Sequence, residues 1–403
     1  MTAKTYDIII IGAGIVGLAT AYKLLEKNKG LSIAVLDKEN RVGRHQTGNN
    51  SGVIHSGIYY KPEGMRAKNN REGYQMLIDF CQKENISYDI CGKIIVATEK
   101  HQLPTLDVIL DRGKQNGLEN LKMLEIDELK AIEPHVVGLK GIWVPQAGIV
   151  DFPAVTNTYA KRIQEWGADI FLNEKVIKIE NNGTVCQIIT ENKTYSSKLM
   201  VNCAGLYSDK IAEFTHPKKL GMKILPFRGE YYKLRPEKEY LVKNLIYPAP
   251  DPSFPWLGVH FTRMIHGGIE AGPNAVLAFR REGYKKMDIN IPELFETVTY
   301  PGFRKMATKF WRQGMDEYRR SFFKSAFTKA LQTLLPELQE DDLITGGAGV
   351  RALACGEDGS LLDDYIFMDD KNVVNVCNAP SPAATSSLSI GNYIAEVVLA
   401  KVK

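Results

Sequence analysis

The sequence is short of cysteine, of net charge and of long apolar runs, and each shortage narrows what it can do. Six cysteines stand in 403 residues: Cys81, Cys91, Cys186, Cys203, Cys355 and Cys377. No two form Cys-x-x-Cys, and their spacing fits neither a disulfide framework nor a zinc site, so free thiols in a reducing, cytoplasmic compartment are expected. Histidine and cysteine spacing offers no ligand set, and no metal is expected. No apolar run is long enough to span a bilayer, and no signal peptide is expected ahead of the first predicted strand. The net charge is only +4, with a pI near 8.5. Without a basic arm or a recognition motif, nucleic acid is not an expected partner. Mild basicity still favours an anionic substrate or an anionic membrane surface. Repeats and low-complexity segments are absent. The remainder is an ordinary globular composition, 44% hydrophobic and 24% charged, in a chain long enough for two lobes.

The most informative stretch lies at the start. Four apolar β-branched residues, 8–11, run straight into Gly12-Ala13-Gly14-Ile15-Val16-Gly17 and on into a helix-forming segment. A continuous apolar strand suits a parallel sheet covered on both faces. Gly12 permits the sharp turn, Gly14 lets a pyrophosphate approach the backbone, and Gly17 lets the helix pack against the sheet. The helix N-terminus then points its N–H groups at phosphate. A second strand, residues 33–36, ends in Asp37, about twenty residues after Gly17, where a carboxylate grips ribose hydroxyls. The glycines, the strand, the helix and the acid together predict a dinucleotide site.

Further along, residues 43–60 form a polar, glycine-punctuated loop too rich in hydrogen-bonding groups for a plain linker. Helices are predicted over 62–84, 102–116 and from Asp151, a capping residue followed by Pro153, through Trp166. Strands are predicted over 93–97, 168–171, 176–179 and 199–205, with a hairpin turn at Asn182-Gly183. Residues 225–279 read as an antiparallel sheet, 301–335 as helix, and 342–403 as loop, strand and helix. The fold class predicted is α/β: a Rossmann-like dinucleotide-binding lobe with a parallel sheet, discontinuous in sequence, plus an α+β substrate lobe on an antiparallel sheet. The boundaries expected are 1–89, 146–222 and 340–403 for the first lobe, and 90–145 and 223–339 for the second.

Three stretches carry a family resemblance: the opening motif with Asp37, the loop from His45 to Gly57, and the ending from Gly349-Val350-Arg351 through residues 378–387. The chain resembles the D-amino-acid-oxidase-like FAD oxidoreductases, and within them the L-2-hydroxyglutarate oxidase/dehydrogenase family, over nearly its whole length. The resemblance implies FAD as cofactor, oxidation of the hydroxyl carbon of L-2-hydroxyglutarate to 2-oxoglutarate, and electron delivery to oxygen or a membrane quinone. It places cofactor contacts at Gly12, Ala13, Gly14, Ile15, Val16, Gly17, Asp37 and Lys38. Others are expected in the loop at Arg44, His45, Gln46, Thr47, Asn50, Ser51, Gly52 and Val53. The rest are expected at Val176, Cys203, Ala204, Gly205, Gly349, Ala383, Ala384 and Thr385. An oxidase of an amino acid or of glycerol 3-phosphate on the same scaffold, or a non-catalytic flavin-binding assembly protein, stand as alternatives.

Oxidising a 2-hydroxy acid needs a hydride acceptor, a base for the hydroxyl proton, and partners that hold the carboxylates. Among seven histidines, His260 and His55 are the candidate bases, His55 because its loop is expected beside the flavin ring. Arg351, where relatives hold substrate with an arginine, is the candidate carboxylate clamp. Arg228, Arg263, Tyr59 and Tyr60 are candidates for a second carboxylate. Residues 301–329 interleave Arg304, Lys305, Lys309, Arg312, Arg319, Arg320, Lys324 and Lys329 with Phe303, Phe310, Trp311, Phe322, Phe323 and Phe327. Such a stretch either rests on an anionic bilayer, giving peripheral membrane contact, or packs its aromatics onto the substrate lobe.

Overall fold

Strand Thr5–Ile11 is central because both of its faces are apolar. Ile8 and Ile10 enter one cluster with Leu18, Leu24, Leu388 and Ile394; Ile9 and Ile11 enter another with Leu36, Ile188 and Met200. Parallel neighbours Thr194–Asn202 and Ile33–Leu36 flank it, followed by Asp169–Phe171 beyond Ile33–Leu36 and Val373–Asn378 against Thr194–Asn202. The antiparallel hairpin Val176–Asn181 and Cys186–Thr190 extends the sheet, turning through Gly183 at φ +83°. Helices Ile15–Lys27, Met65–Lys83, Phe152–Glu165 and Ser387–Lys401 cover one face. Asp151 caps Phe152–Glu165 by accepting the Ala154 N–H at 3.1 Å. The computed structural model describes residues 4–216, 219–251 and 257–402; part of the predicted 225–279 sheet region, residues 252–256, lies outside them.

A second, nine-stranded sheet is built from the intervening sequence. Its order begins with Val276–Leu277, Met222–Leu234, Ile269–Gly272 and His260–Arg263, and continues through Leu245–Pro248, Lys93–Ala97, Lys140–Val144 and Lys122–Leu124. It is largely antiparallel, with Lys93–Ala97 and Leu245–Pro248 parallel to each other. One face packs Ile94, Ile246 and Phe261 against Phe327, Leu331 and Leu335. The opposite face, carrying Lys93, Tyr247 and His260 in alternation with those residues, is the one available to the first lobe.

Two expectations change. Residues 342 onward were expected as loop in the nucleotide lobe, with Arg351 just before a strand. Instead Leu343–Gly356 is a 14-residue strand paired along Met222–Leu234 in the second sheet. Its glycines hide the strand pattern, and close neighbours explain them: a Cβ on Gly346 would stand 2.7 Å from the Tyr231 carbonyl oxygen. The 301–335 helix is broken into Pro301–Phe322, kinked at Phe310, and Lys324–Leu331, and it is preceded by an unforeseen helix, Ile291–Thr299. Asn290 starts that helix by accepting the Glu293 N–H.

Candidate active site

The turn after the first strand is shaped by contacts that leave no room for side chains. Gly12 has φ +110°, and a Cβ there would collide with the Cys203 carbonyl; one on Gly17 would collide with the Gly12 carbonyl. Gly14 differs. A Cβ on it would meet only Thr47 Oγ1, at 3.6 Å, so the space beside it is open on the protein's side. Helix Ile15–Lys27 has no side-chain cap and no acid in its first turn, and Thr47 Oγ1 accepts the Ile15 N–H at 3.0 Å. Apart from the Ile15 N–H taken by Thr47, no acid in the first turn competes with an anion for the helix N-terminus. Asp37 accepts the Ala13 and Glu39 N–H groups at 2.7 and 2.9 Å. Burial raises its pKa while those two bonds oppose the rise, and a carboxylate has lone pairs to spare for hydroxyl donors.

The loop after the second strand is tied back to the C-terminal segment. His55 donates its N–H to Thr385 Oγ1 at 3.1 Å, and its carbonyl accepts Asn70 Nδ2 at 2.9 Å. Asn50 accepts the Gly52 N–H and donates to the Thr47 carbonyl. Strand Val53–Ile54 pairs with Gly148–Val150. Gly205 lies against Gln46 Oε1, Gly349 against the Asn49 carbonyl, and Glu174, two residues before Val176, donates its N–H to Asp37 O. Thus Cys203, Ala204 and Gly205, the loop, Gly349, and the Ala383-Ala384-Thr385 approach to the last helix converge around the glycine turn. Ser56 Oγ and Ser386 Oγ are buried without partners among the described residues. Such orphans call for a polar ligand, and together with the open side of Gly14 they fit FAD.

The candidate substrate-binding side chains gather where this loop meets the open face of the second sheet. Sheet register sets Lys93 beside Leu245, then Tyr247 near His260, with Leu245–Pro248 joining the two edge to edge. The His260 ring stacks on Tyr247 at 4.0 Å, and its Nδ1 lies 3.0 Å from the Gly258 carbonyl oxygen. A carbonyl only accepts, so Nδ1 carries the hydrogen and Nε2 keeps its lone pair. Burial, with Arg351 and Lys93 nearby, pushes His260 down to about 3, and burial with Lys93, His260 and Arg66 does the same to His55. Both imidazoles are neutral, and the His55 ring has no hydrogen-bond partner among the described residues. Arg351 projects from its strand with, among the described residues, one hydrogen bond, Nη1 to Asn274 O at 3.3 Å. Gly229 makes room for it, since a Cβ there would stand 2.9 Å from Nη1. Asp358 is engaged by Ser360, and Asp363 by Arg66, so Arg351 keeps N–H donors for a ligand.

Other sequence candidates are committed elsewhere. Arg228 is buried, bonded to Glu230 at 2.9–3.0 Å and to the Lys285 carbonyl. Arg263 is ion-paired with Asp89. The Arg228 guanidinium is thus occupied, while Arg263 keeps its Nε without a partner among the described residues. Tyr60 packs on Arg66, while Tyr59 faces the pocket. Lys38 and His45 join Glu39 and Glu282 in one network, with Tyr284 on His45 Nδ1. The two carboxylates and His45 are close enough for a metal ion, but the Lys38 ammonium already pairs with both acids. Sequence inspection missed Lys93. Its one signal was a lysine heading an otherwise apolar strand, Lys93–Ala97, every residue of which is buried.

The family described as DAO, FAD dependent oxidoreductase, matches residues 7–397. The chain is 56% identical to L-2-hydroxyglutarate dehydrogenase of Indibacter alkaliphilus over 98% of its own length and 99% of that protein's. It is 42% identical to the mitochondrial L-2-hydroxyglutarate dehydrogenase of Homo sapiens, covering 98% and 89% of the two chains, and 41% identical to the Escherichia coli enzyme of the same name, covering 98% and 93%. Its fold is shared with the dithionite-reduced, FAD-bound L-alpha-glycerophosphate oxidase of Mycoplasma pneumoniae, at TM-score 0.80 and 21% identity over 98% and 95% of the chains.

Proposed function

The chain belongs to the DAO family of FAD dependent oxidoreductases, and from that we propose that it oxidises L-2-hydroxyglutarate to 2-oxoglutarate. The observation that carries this reading is one pocket holding a guanidinium with donors to spare and neutral imidazoles, beside the loop tied to Thr385. Bound FAD supplies the hydride acceptor. Residues 12–17, Asp37, the loop and the Ala383–Thr385 segment hold it. Arg351 takes the carboxylate next to the reacting carbon through paired N–H donors. His260 accepts the hydroxyl proton on Nε2, the nitrogen its Gly258 contact leaves unprotonated, and His55 is the second imidazole against the substrate. The buried sheet face excludes water, which strengthens each of these contacts.

The electrons are proposed to leave to a quinone at an anionic membrane face, or to oxygen. Among the described residues no helix is long and apolar enough to cross a membrane. The contact proposed is peripheral. Trp311, Met315 and Phe322 are exposed on one stripe of Pro301–Phe322, with Phe295 and Met287 exposed close by in sequence. Arg312 and Arg319 lie beside that stripe at helical spacing. The other aromatics divide: Phe303 and Phe310 pack against Leu225, Phe227 and Tyr300, and Phe327 is fully buried. Flotation with anionic liposomes at low and high salt tests the contact, with binding expected at low salt and none at either salt contradicting it.

Anaerobic mixing of the yellow protein with L-2-hydroxyglutarate, an amino-acid panel and glycerol 3-phosphate tests the substrate. Bleaching of the flavin by the hydroxy acid alone is expected. Bleaching by an amino acid or by glycerol 3-phosphate instead assigns the pocket to that substrate.

A further inference from the structure

Lys93 is fully buried, with 1% of its surface exposed, yet no carboxylate and no hydrogen-bond acceptor meets its ammonium among the described residues. Its Nζ lies over the rings of Tyr59 at 4.6 Å and Tyr247 at 4.8 Å. Ring faces attract a cation but do not replace the water it has lost. The groups that act on it from other elements are His55 on the loop and His260, two strands away across Leu245–Pro248, and Tyr59 packs its ring against it with a hydroxyl that is buried and unpartnered among the described residues. Arg351 also lies close enough to His260 for its charge to act on the imidazole. Two basic side chains and two imidazoles therefore gather here; among the described residues neither Lys93 nor Arg351 is ion-paired, and the buried acid that acts on Arg351, Glu317, is bonded to Arg320 and the Ala275 N–H. Burial alone pulls the Lys93 pKa down to about 7. A buried, uncompensated lysine is costly unless a ligand completes it.

We propose that Lys93, with the Tyr59 hydroxyl beside it, binds the distal carboxylate of a dicarboxylic hydroxy acid, while Arg351 holds the carboxylate next to the reacting carbon. This rests on the 2-hydroxy-acid reading above and sets its chain-length and charge specificity. The Tyr59 and Tyr247 rings form an apolar collar around the ammonium, and a dicarboxylate entering between them supplies the missing counter-charge. A monocarboxylate leaves Lys93 uncompensated, so the pocket discriminates by the charge it lacks. The Gly92 turn, at φ +81°, leads the chain into the strand that carries Lys93, and a Cβ there would run into the Trp143 ring.

The test uses the FAD-loaded protein, with glutarate and butanoate as non-reacting probes read by the flavin difference spectrum, and L-2-hydroxyglutarate as substrate. Lys93→Met keeps the chain length and removes the charge. Glutarate binding is expected to weaken on the order of a hundredfold, with butanoate changing by less than about threefold, as for loss of one charge-assisted contact in a closed site. KM for L-2-hydroxyglutarate should rise by a similar factor while kcat changes much less. Lys93→Arg should restore part of the glutarate preference. Lys93→Gln, neutral but polar, is read in place of Lys93→Met if the latter does not load FAD. Equal weakening of glutarate and butanoate would overturn the assignment in favour of a packing role. A collapse of kcat with glutarate affinity unchanged would overturn it in favour of a proton-transfer role. If the wild-type protein is not reduced by L-2-hydroxyglutarate at all, the functional reading itself fails, which is a different outcome from either.

Discussion

The nucleotide turn and the substrate pocket solve recognition in opposite ways. The turn is built from backbone within a few residues of sequence: Gly12, Gly14 and Gly17 are adjacent, and the nearest constraint from afar is the Cys203 carbonyl. The pocket is built from side chains brought together by sheet register. Lys93, Tyr247, His260 and Arg351 come from four strands and lie up to 258 positions apart. Backbone recognition is settled when the chain folds, since its N–H groups already point outward. Side-chain recognition leaves charges and lone pairs unsatisfied until a ligand arrives. Gly12 and Gly17 leave no room for a side chain, and the turn carries little information about substrate, whereas the pocket tolerates changes in fold terms and carries all of it.

That contrast predicts separable failures. The largest is Gly14→Val. Because a Cβ there meets only Thr47 Oγ1, the chain should fold and melt normally but purify without FAD, as seen from its absorbance spectrum. Full FAD occupancy in this variant would remove the phosphate from this turn. Next is the base. His260→Asn should slow anaerobic flavin reduction by about a thousandfold, within the range for loss of a positioned general base. His55→Asn should cost less, because the His55 ring makes no hydrogen bond that fixes its tautomer. The reverse ranking would assign the base to His55.

Two smaller effects separate pocket residues from structural ones. Arg228→Met breaks a buried ion pair and should lower stability by about 3 kcal/mol, while KM for L-2-hydroxyglutarate stays within a few-fold; urea unfolding and steady-state kinetics read the two effects apart. The smallest effect is in acid. His260 is held neutral in the fold, down to about 3, against roughly 6.5 when unfolded. The unfolded chain therefore takes up a proton that the native one refuses, and this stability is complete above pH 6.5 and lost as pH falls toward 3. The slope is at most about 1.4 kcal/mol per pH unit for this group. Denaturant midpoints between pH 7 and 5 should fall less steeply for His260→Asn than for wild type.

The same contrast explains what was legible in the sequence. The glycine turn, Asp37 and the strand Lys93–Ala97 are local patterns and were placed directly. So was the start of helix Phe152–Glu165, where Asp151 and Pro153 carry their own signal. The strand holding Arg351 was hidden because its glycines answer to neighbours, the Tyr231 and Asn49 carbonyls, that only the fold supplies. Arg228 and Arg263 looked equivalent to Arg351 as residue types, yet Glu230 and Asp89 occupy them. Availability of a charge is a property of its surroundings, and it cannot be read from the residue. Lys93 escaped for the mirror-image reason: burial of a lysine without a partner is visible only in three dimensions.

The central claim is that Arg351 and a neutral histidine fix one carbon of a 2-hydroxy acid toward the flavin, and stopped-flow reduction with the two enantiomers of 2-hydroxyglutarate tests it most directly. A clamp and a base on fixed sides of the carbon present one hydrogen only, so the L enantiomer should bleach the wild-type protein and the D enantiomer should not. In Arg351→Ala the lost contact is worth about 2–3 kcal/mol, and misplacement of the carbon adds to it. FAD should be retained while reduction at low substrate slows by at least about a hundredfold, with Arg351→Lys recovering only part because an ammonium lacks the planar fork. Equal bleaching by both enantiomers, or an Arg351→Ala protein that bleaches at the wild-type rate, would contradict it.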